Sequence, residues 1–139
     1  MLNFHEPVSG RYRLQQCLRR GSMSAVYLAY DELLQHEVAI KLVSNDQPES
    51  TQRLQHEILN LRNLSHDHIV PILNDGEYEG YHYLVMPYVQ HGTLRDRLAR
   101  GRLTPEEAGN ILVQVTSALH CAHQHGIVHA ASKGELSAI

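Results

Sequence analysis

The sequence predicts an α+β fold: a five-stranded antiparallel sheet with one helix inserted after the third strand, followed by two more helices. Three observations carry this prediction. Short runs rich in β-branched and aromatic residues alternate with tight polar turns as far as Met86. Among them, Leu54, Ile58, Leu61 and Leu64 recur at helical spacing. From Leu94 onward the spacing of apolar residues is helical throughout.

Residues 1–10 read as a leader. Tyr12, Leu14 and Cys17-Leu18 mark the first strand, Ala25 to Tyr30 the second and Glu37 to Val43 the third. Gly21-Ser22-Met23-Ser24 is short enough to join the first two as a hairpin. The polar stretch Ser44 to Ser50 is expected to be a loop, and residues 51–64 an amphipathic helix. Ile69 to Leu73 and Tyr81 to Met86 are expected as the last two strands, with Glu79-Gly80 in the turn between them. Leu94 to Arg100 is a short helix. Thr104-Pro105-Glu106-Glu107 is a strong helix start: a capping threonine, a proline at the first helical position and a glutamate at the third. Ala108, Ile111, Leu112, Val115, Ala118, Leu119 and Ala122 then form one apolar stripe, and Gly126 ends the helix. The chain thus divides into a β-rich lobe over 11–90 and a helical segment over 91–129.

Composition narrows the function. At 139 residues, 42% hydrophobic, the chain is one domain's worth of polypeptide with enough apolar surface for a core. A formal charge of -3 argues against non-specific binding of nucleic acid. Cys17 and Cys121 are far apart and form no metal-type pair, which suits a reducing, cytoplasmic setting. Residues 1–10 lack the apolar core of a signal peptide, and no run is long enough to span a membrane. His120, Cys121, His123 and His125 are crowded, but helical geometry splits them into pairs on different faces, so no metal site is expected. Arg95, Arg97, Arg100 and Arg102 read as a solvated helix face, with docking of an acidic partner as the alternative.

The chemistry-bearing residues fall in a recognisable order. Val38-Ala39-Ile40-Lys41 ends in a lysine, and Glu57 follows sixteen residues later on the helix. Beyond them come His66-Asp67-His68-Ile69-Val70, then Leu84-Val85-Met86-Pro87-Tyr88-Val89 and Gly126-Ile127-Val128-His129. In this order the motifs resemble a eukaryotic-like Ser/Thr protein kinase of bacteria, over nearly the whole chain but only about half of such a domain. The resemblance implies a kinase small lobe over 11–90, with the linker to the large lobe at its end, the first large-lobe helices over 91–129 and a divergent tail over 130–139.

The resemblance also implies site residues. Lys41 matches the lysine that contacts the α- and β-phosphates of ATP, and Glu57 the carboxylate that holds it in place. Val26 and Ala39 match the residues that cover adenine, and Met86 the gatekeeper. Pro87 has no N–H but keeps the carbonyl that adenine needs, and Val89 can offer both groups. Of the glycine-rich loop only Gly21 survives; Arg19 and Ser24 replace the outer glycines. Arg19 and Arg20 are read as solvated side chains, with added attraction for phosphate as the alternative.

The catalytic loop departs altogether. Where the family writes His-Arg-Asp-x-Lys-Pro-x-x-Asn, this chain has His129-Ala130-Ala131-Ser132-Lys133-Gly134-Glu135-Leu136-Ser137. Ala131 replaces the aspartate base, so no catalytic residue is assigned. Leu136 and Ser137 cover the place of the Mg²⁺-binding asparagine, and no Asp-Phe-Gly follows. The expectation is a fragment with a vestigial ATP pocket that holds no Mg²⁺ alone and transfers no phosphate alone. Alternatives are a pseudokinase-like interaction module and a non-functional truncated gene product. Residues 104–125 would supply the surface for a protein partner or for self-association, because their apolar stripe lacks its usual cover in a kinase.

Overall fold

The computed structural model describes residues 5–127. In chain order the elements are β1 (Tyr12–Arg20), β2 (Ser24–Asp31), β3 (His36–Ser44), α1 (Pro48–Arg62), β4 (Asn74–Tyr78), β5 (Tyr81–Pro87), α2 (Leu94–Ala99) and α3 (Pro105–Gln124). The strands form one antiparallel sheet in the order β1-β2-β3-β5-β4. Of the described residues, 5–62 and 71–88 make one compact unit, and 63–70 and 89–127 make a second.

Strand alternation gives the first unit two apolar layers. On one face of the sheet, Tyr12, Tyr27, Val38, Ile40, Leu42, Tyr83 and Val85 are buried together with Val8 of the leader. On the other, Leu54 and Ile58 of α1 pack on Val43 and Leu84. These contacts set where α1 lies along the sheet, which matters for the residue between them, Glu57.

The β2–β3 turn hangs on one buried acid. Asp31 accepts two side-chain hydrogen bonds from Arg11, at 2.8 and 2.7 Å. It also accepts the backbone N–H of Leu33 and Leu34, at 3.0 and 3.1 Å. The Arg11 guanidinium, with those two amides, holds the Asp31 carboxyl down to about 2 against the cost of burial.

The fourth strand corrects the sequence expectation. It is Asn74–Tyr78, and Ile69 to Leu73 is not a strand. Apolar propensity pointed to the earlier run, but turn geometry decides the register. Glu79 and Gly80 both take positive φ, 46° and 81°, as a two-residue hairpin turn of the primed kind requires. Tyr78 therefore pairs with Tyr81, and Asn74 with Val85. Pro71 has no N–H to give a ladder, while Ile72 is spent packing on the Leu54–Ile58 cluster. Helix α1 also begins earlier than expected, at Pro48, a residue that suits the first turn of a helix.

In the second unit both helices start with a capping box, Thr93 with Asp96 and Thr104 with Glu107. Arg97 donates to both Glu107 oxygens, at 3.1 and 2.8 Å, so this arginine is paired rather than merely solvated. At the far end of α3, Gly126 takes φ 75° while its N–H donates to the carbonyl of His123 and that of Ile127 to Ala122, a Schellman motif. The apolar stripe of α3 is narrower than expected. Ala108, Ile111, Val115, Ala118 and Ala122 are covered at least in part, whereas Leu112 is 65% exposed and Leu119 36%. At about 100° per residue, these two leucines lie at one edge of the stripe. His66 of the connecting segment bonds Ser117 of α3 at 2.9 Å, and Leu64 is buried.

Candidate functional site

The sheet face that carries α1 gathers most of the residues singled out above. Directly paired residues of antiparallel strands share a face. Val26 pairs with Lys41, and Lys41 with Leu84, so all three stand on that side. Leu28 pairs with Ala39, and Ala39 with Met86, which extends the same face by one row. Ala39 is buried; Val26, Leu28 and Met86 are half-buried. The result is an apolar patch of small and medium side chains with a cation at its edge.

Lys41 and Glu57 meet: Nζ lies 3.0 Å from Oε2. The contact follows from packing already described. Leu54 and Ile58 seat α1 on Val43 and Leu84, and Leu84 is the register partner of Lys41. Glu57, next to Ile58, is thereby delivered over the lysine. Both side chains keep some contact with solvent, 27% for Lys41 and 38% for Glu57. A pair this open contributes little to stability. What it does is restrict a long flexible stem to one position.

The β1–β2 hairpin shows how the loop at the end of this face is made. The N–H of Gly21 donates to the carbonyl of Ser24 at 2.8 Å, closing the turn. Gly21 does not have a left-handed backbone, and an added Cβ would meet only the Ser24 oxygen, at 3.5 Å. The fold itself therefore does not demand a glycine there. Arg20 donates to the Tyr27 hydroxyl at 3.1 Å, on the opposite face of the sheet, so it is not simply a solvated side chain.

Pro87 ends β5 opposite Val38. Val89 belongs to the second unit and is half-buried there. His129, Ala130, Ala131, Lys133, Leu136 and Ser137 lie outside the described residues. Among the described residues no three His, Cys, Asp or Glu side chains stand close enough to hold a metal ion. No described helix is long and apolar enough to cross a membrane. Sequence reasoning missed Leu28, whose signal was available: it lies two residues after Val26 in the same strand, hence on the same face.

Known proteins share the family and the fold of this chain. Residues 12–135 match the family model described as protein kinase domain. The chain is 42% identical over 127 residues to the serine/threonine-protein kinase PrkC of Bacillus subtilis, covering 88% of this chain and 19% of that protein. It is 37% identical over 130 residues to a probable serine/threonine-protein kinase PknB of Corynebacterium glutamicum, covering 88% and 20%. Among solved structures it is similar to the Mycobacterium tuberculosis PknI kinase domain, with a TM-score of 0.74 and 27% identity, over 96% of this chain and 56% of that one. The chain thus spans about a fifth of the length of the curated relatives it matches.

Proposed function

This chain belongs to the protein kinase domain family, as a fragment of a domain of the bacterial serine/threonine type, and from that premise we propose that it binds ATP without transferring phosphate by itself. The observation that carries the reading is the Lys41–Glu57 pair, standing on the same sheet face as Val26, Ala39 and Met86. Adenine is flat and apolar on its faces, and the Val26–Leu28–Ala39–Met86 patch is the kind of surface that takes such a ring. A lysine pre-positioned at the edge of the patch serves the phosphates. Transfer asks for more: a base to orient the attacking hydroxyl and metal ions to neutralise the phosphoryl oxygens. Ala131 occupies the position where the resemblance puts the base, and Leu136 and Ser137 the position of a metal-binding asparagine. Binding should accordingly depend little on Mg²⁺.

Calorimetric titration of the purified chain with ATP and ADP, with and without Mg²⁺, tests this. Saturable binding that weakens in Lys41→Ala supports the reading. Absence of binding at millimolar nucleotide would overturn it, and autophosphorylation or transfer to a basic protein substrate would overturn the inactive part.

A second reading, self-association through residues 104–125, is favoured by Leu112 and Val113, which are 65% and 70% exposed on α3. The expected result is a dimer or larger species in light scattering at micromolar protein that Leu112→Asp dissociates. A monodisperse monomer defeats it.

A further inference from the structure

Strand β1 carries two register shifts, between Leu14 and Gln16 and between Cys17 and Arg19; they cancel over the strand, so Arg20 shares the face of Tyr12 and Leu14 and Arg19 takes the other. Cys17 pairs with Tyr27, but Arg19 pairs with Val26, so Leu18 is an extra residue between them. An extra residue inverts the facing of everything beyond it. Without it, a strict alternation from Cys17 would put Arg19 on the side of Cys17 and Tyr27 and Arg20 on the other. With it, Arg20 goes to the Tyr27 side, where it bonds the hydroxyl, and Arg19 leaves the sheet on the Val26 side. Val26 is also the register partner of Lys41. Arg19, Val26 and Lys41 therefore form one row across three strands, with the two cations roughly 10 Å apart at the backbone, two strand spacings. Long side chains from both ends of that row can converge on one polyanion above Val26.

The loop beside them has lost the means of binding phosphate through its backbone. A glycine-lined loop works by bringing bare N–H groups against phosphate oxygens. Arg19 and Ser24 carry side chains where the outer glycines of the family would stand, and the Gly21 N–H is committed to Ser24. We infer that Arg19 is a second phosphate-binding residue of this chain, its guanidinium contacting the polyphosphate of ATP opposite Lys41 and substituting for the glycine loop. The inference rests on the nucleotide reading above. A guanidinium presents a planar fork of donors matched to phosphate oxygens, and it stays charged at any working pH.

The test titrates ATP, adenosine and inorganic tripolyphosphate into wild type, Arg19→Gln, Arg19→Gly and Arg20→Gln at low ionic strength without Mg²⁺. Both Arg19 variants should bind ATP and tripolyphosphate about fivefold more weakly, the effect of one lost charge contact in a solvated site. Adenosine binding should not change, Arg20→Gln should match wild type, and the loss should shrink as salt is raised. Arg19→Gly is the sharper variant because it restores the family's residue: if it binds ATP as tightly as wild type or more tightly, the inference is overturned, and the nucleotide reading stands without it. Arg19-dependent binding of tripolyphosphate with no added affinity for ATP would keep the arginine's role and overturn the nucleotide reading. Failure of both ATP and tripolyphosphate to bind overturns both.

Discussion

Glu57→Gln is the substitution that most directly asks whether the Lys41–Glu57 pair exists for binding or for stability. It keeps the size of the side chain and removes its charge. The pair is a single contact of 3.0 Å between groups 27% and 38% exposed, so its contribution to folding is about 0.5–1 kcal/mol. For a domain of this size that corresponds to a fall in Tm of no more than about 4 °C. The effect on ATP should be larger. A lysine held in place makes a charge-assisted hydrogen bond to phosphate worth about 1.5–3 kcal/mol, and a released one recovers only part of it. The expected loss of affinity is about tenfold in Glu57→Gln, a little more in Lys41→Ala, and no greater in the double variant than in Lys41→Ala alone. Thermal unfolding and calorimetric titration of the four proteins read both quantities. If Glu57→Gln weakens ATP as much in the Lys41→Ala background as in wild type, Glu57 does not act through Lys41. A fall in Tm well beyond the small loss expected would mean that the pair is structural.

Two further outcomes follow from the first unit. Asp31 is ionised in the folded state down to a pKa of about 2, against an ordinary 3.8, because Arg11 and two backbone amides bond its carboxylate. Its folded pKa is depressed, so its contribution is complete above the unfolded value and is lost as pH falls from about 4 to about 2. With Arg11 partly open to water, we expect about 1–2 kcal/mol from this group, seen as a drop in urea-unfolding free energy over that window that is absent in Asp31→Asn. An equal acid slope in the variant would show that other carboxylates carry the transition. At Gly76, an added Cβ would stand 2.7 Å from the Tyr83 hydroxyl oxygen and 2.9 Å from the ring carbon bearing it, and Tyr83 is buried. Gly76→Ala should cost about 1–3 kcal/mol by overpacking, partly recovered by adding Tyr83→Phe; unchanged denaturation midpoints would refute it.

Most of the sheet was legible in the sequence because its strands announce themselves twice, by β-rich composition and by the turns that bound them. Val38 to Val43 is nearly all apolar because β3 is central and covered on both faces, which is also why Lys41 stands out there. The contact between Lys41 and Glu57 was foreseeable from helical spacing, since Leu54 and Ile58 had to face the sheet and Glu57 adjoins them. Strand β4 was misplaced because composition competed with turn geometry. Asn74-Asp75-Gly76-Glu77-Tyr78 has almost no β propensity, yet the positive φ at Glu79 and Gly80 requires it to pair. The extra residue at Leu18 left no trace in the sequence. A bulge is a property of two strands in register, and the pattern of one strand does not reveal it. The facing of Arg19 and Arg20 relative to Cys17 is therefore read from the pairing.

Binding and transfer draw on different chemistry, and the proposed reading separates them along this chain. Holding a nucleotide requires an apolar surface for the base and fixed positive charge for the phosphates. Both lie on one face of a sheet whose register is set by local turns and two apolar layers. Transfer requires a base and metal ligands aligned on the same phosphoryl group, and it fails when any one is missing. The positions where the resemblance puts those groups hold alanine, leucine and serine. The sheet and the Lys41–Glu57 contact are built from residues between Tyr12 and Pro87. On the proposed reading, a pocket that does not present γ-phosphate to an acceptor has no need of the backbone cradle that aligns it, and an arginine at the first loop position would serve retention alone.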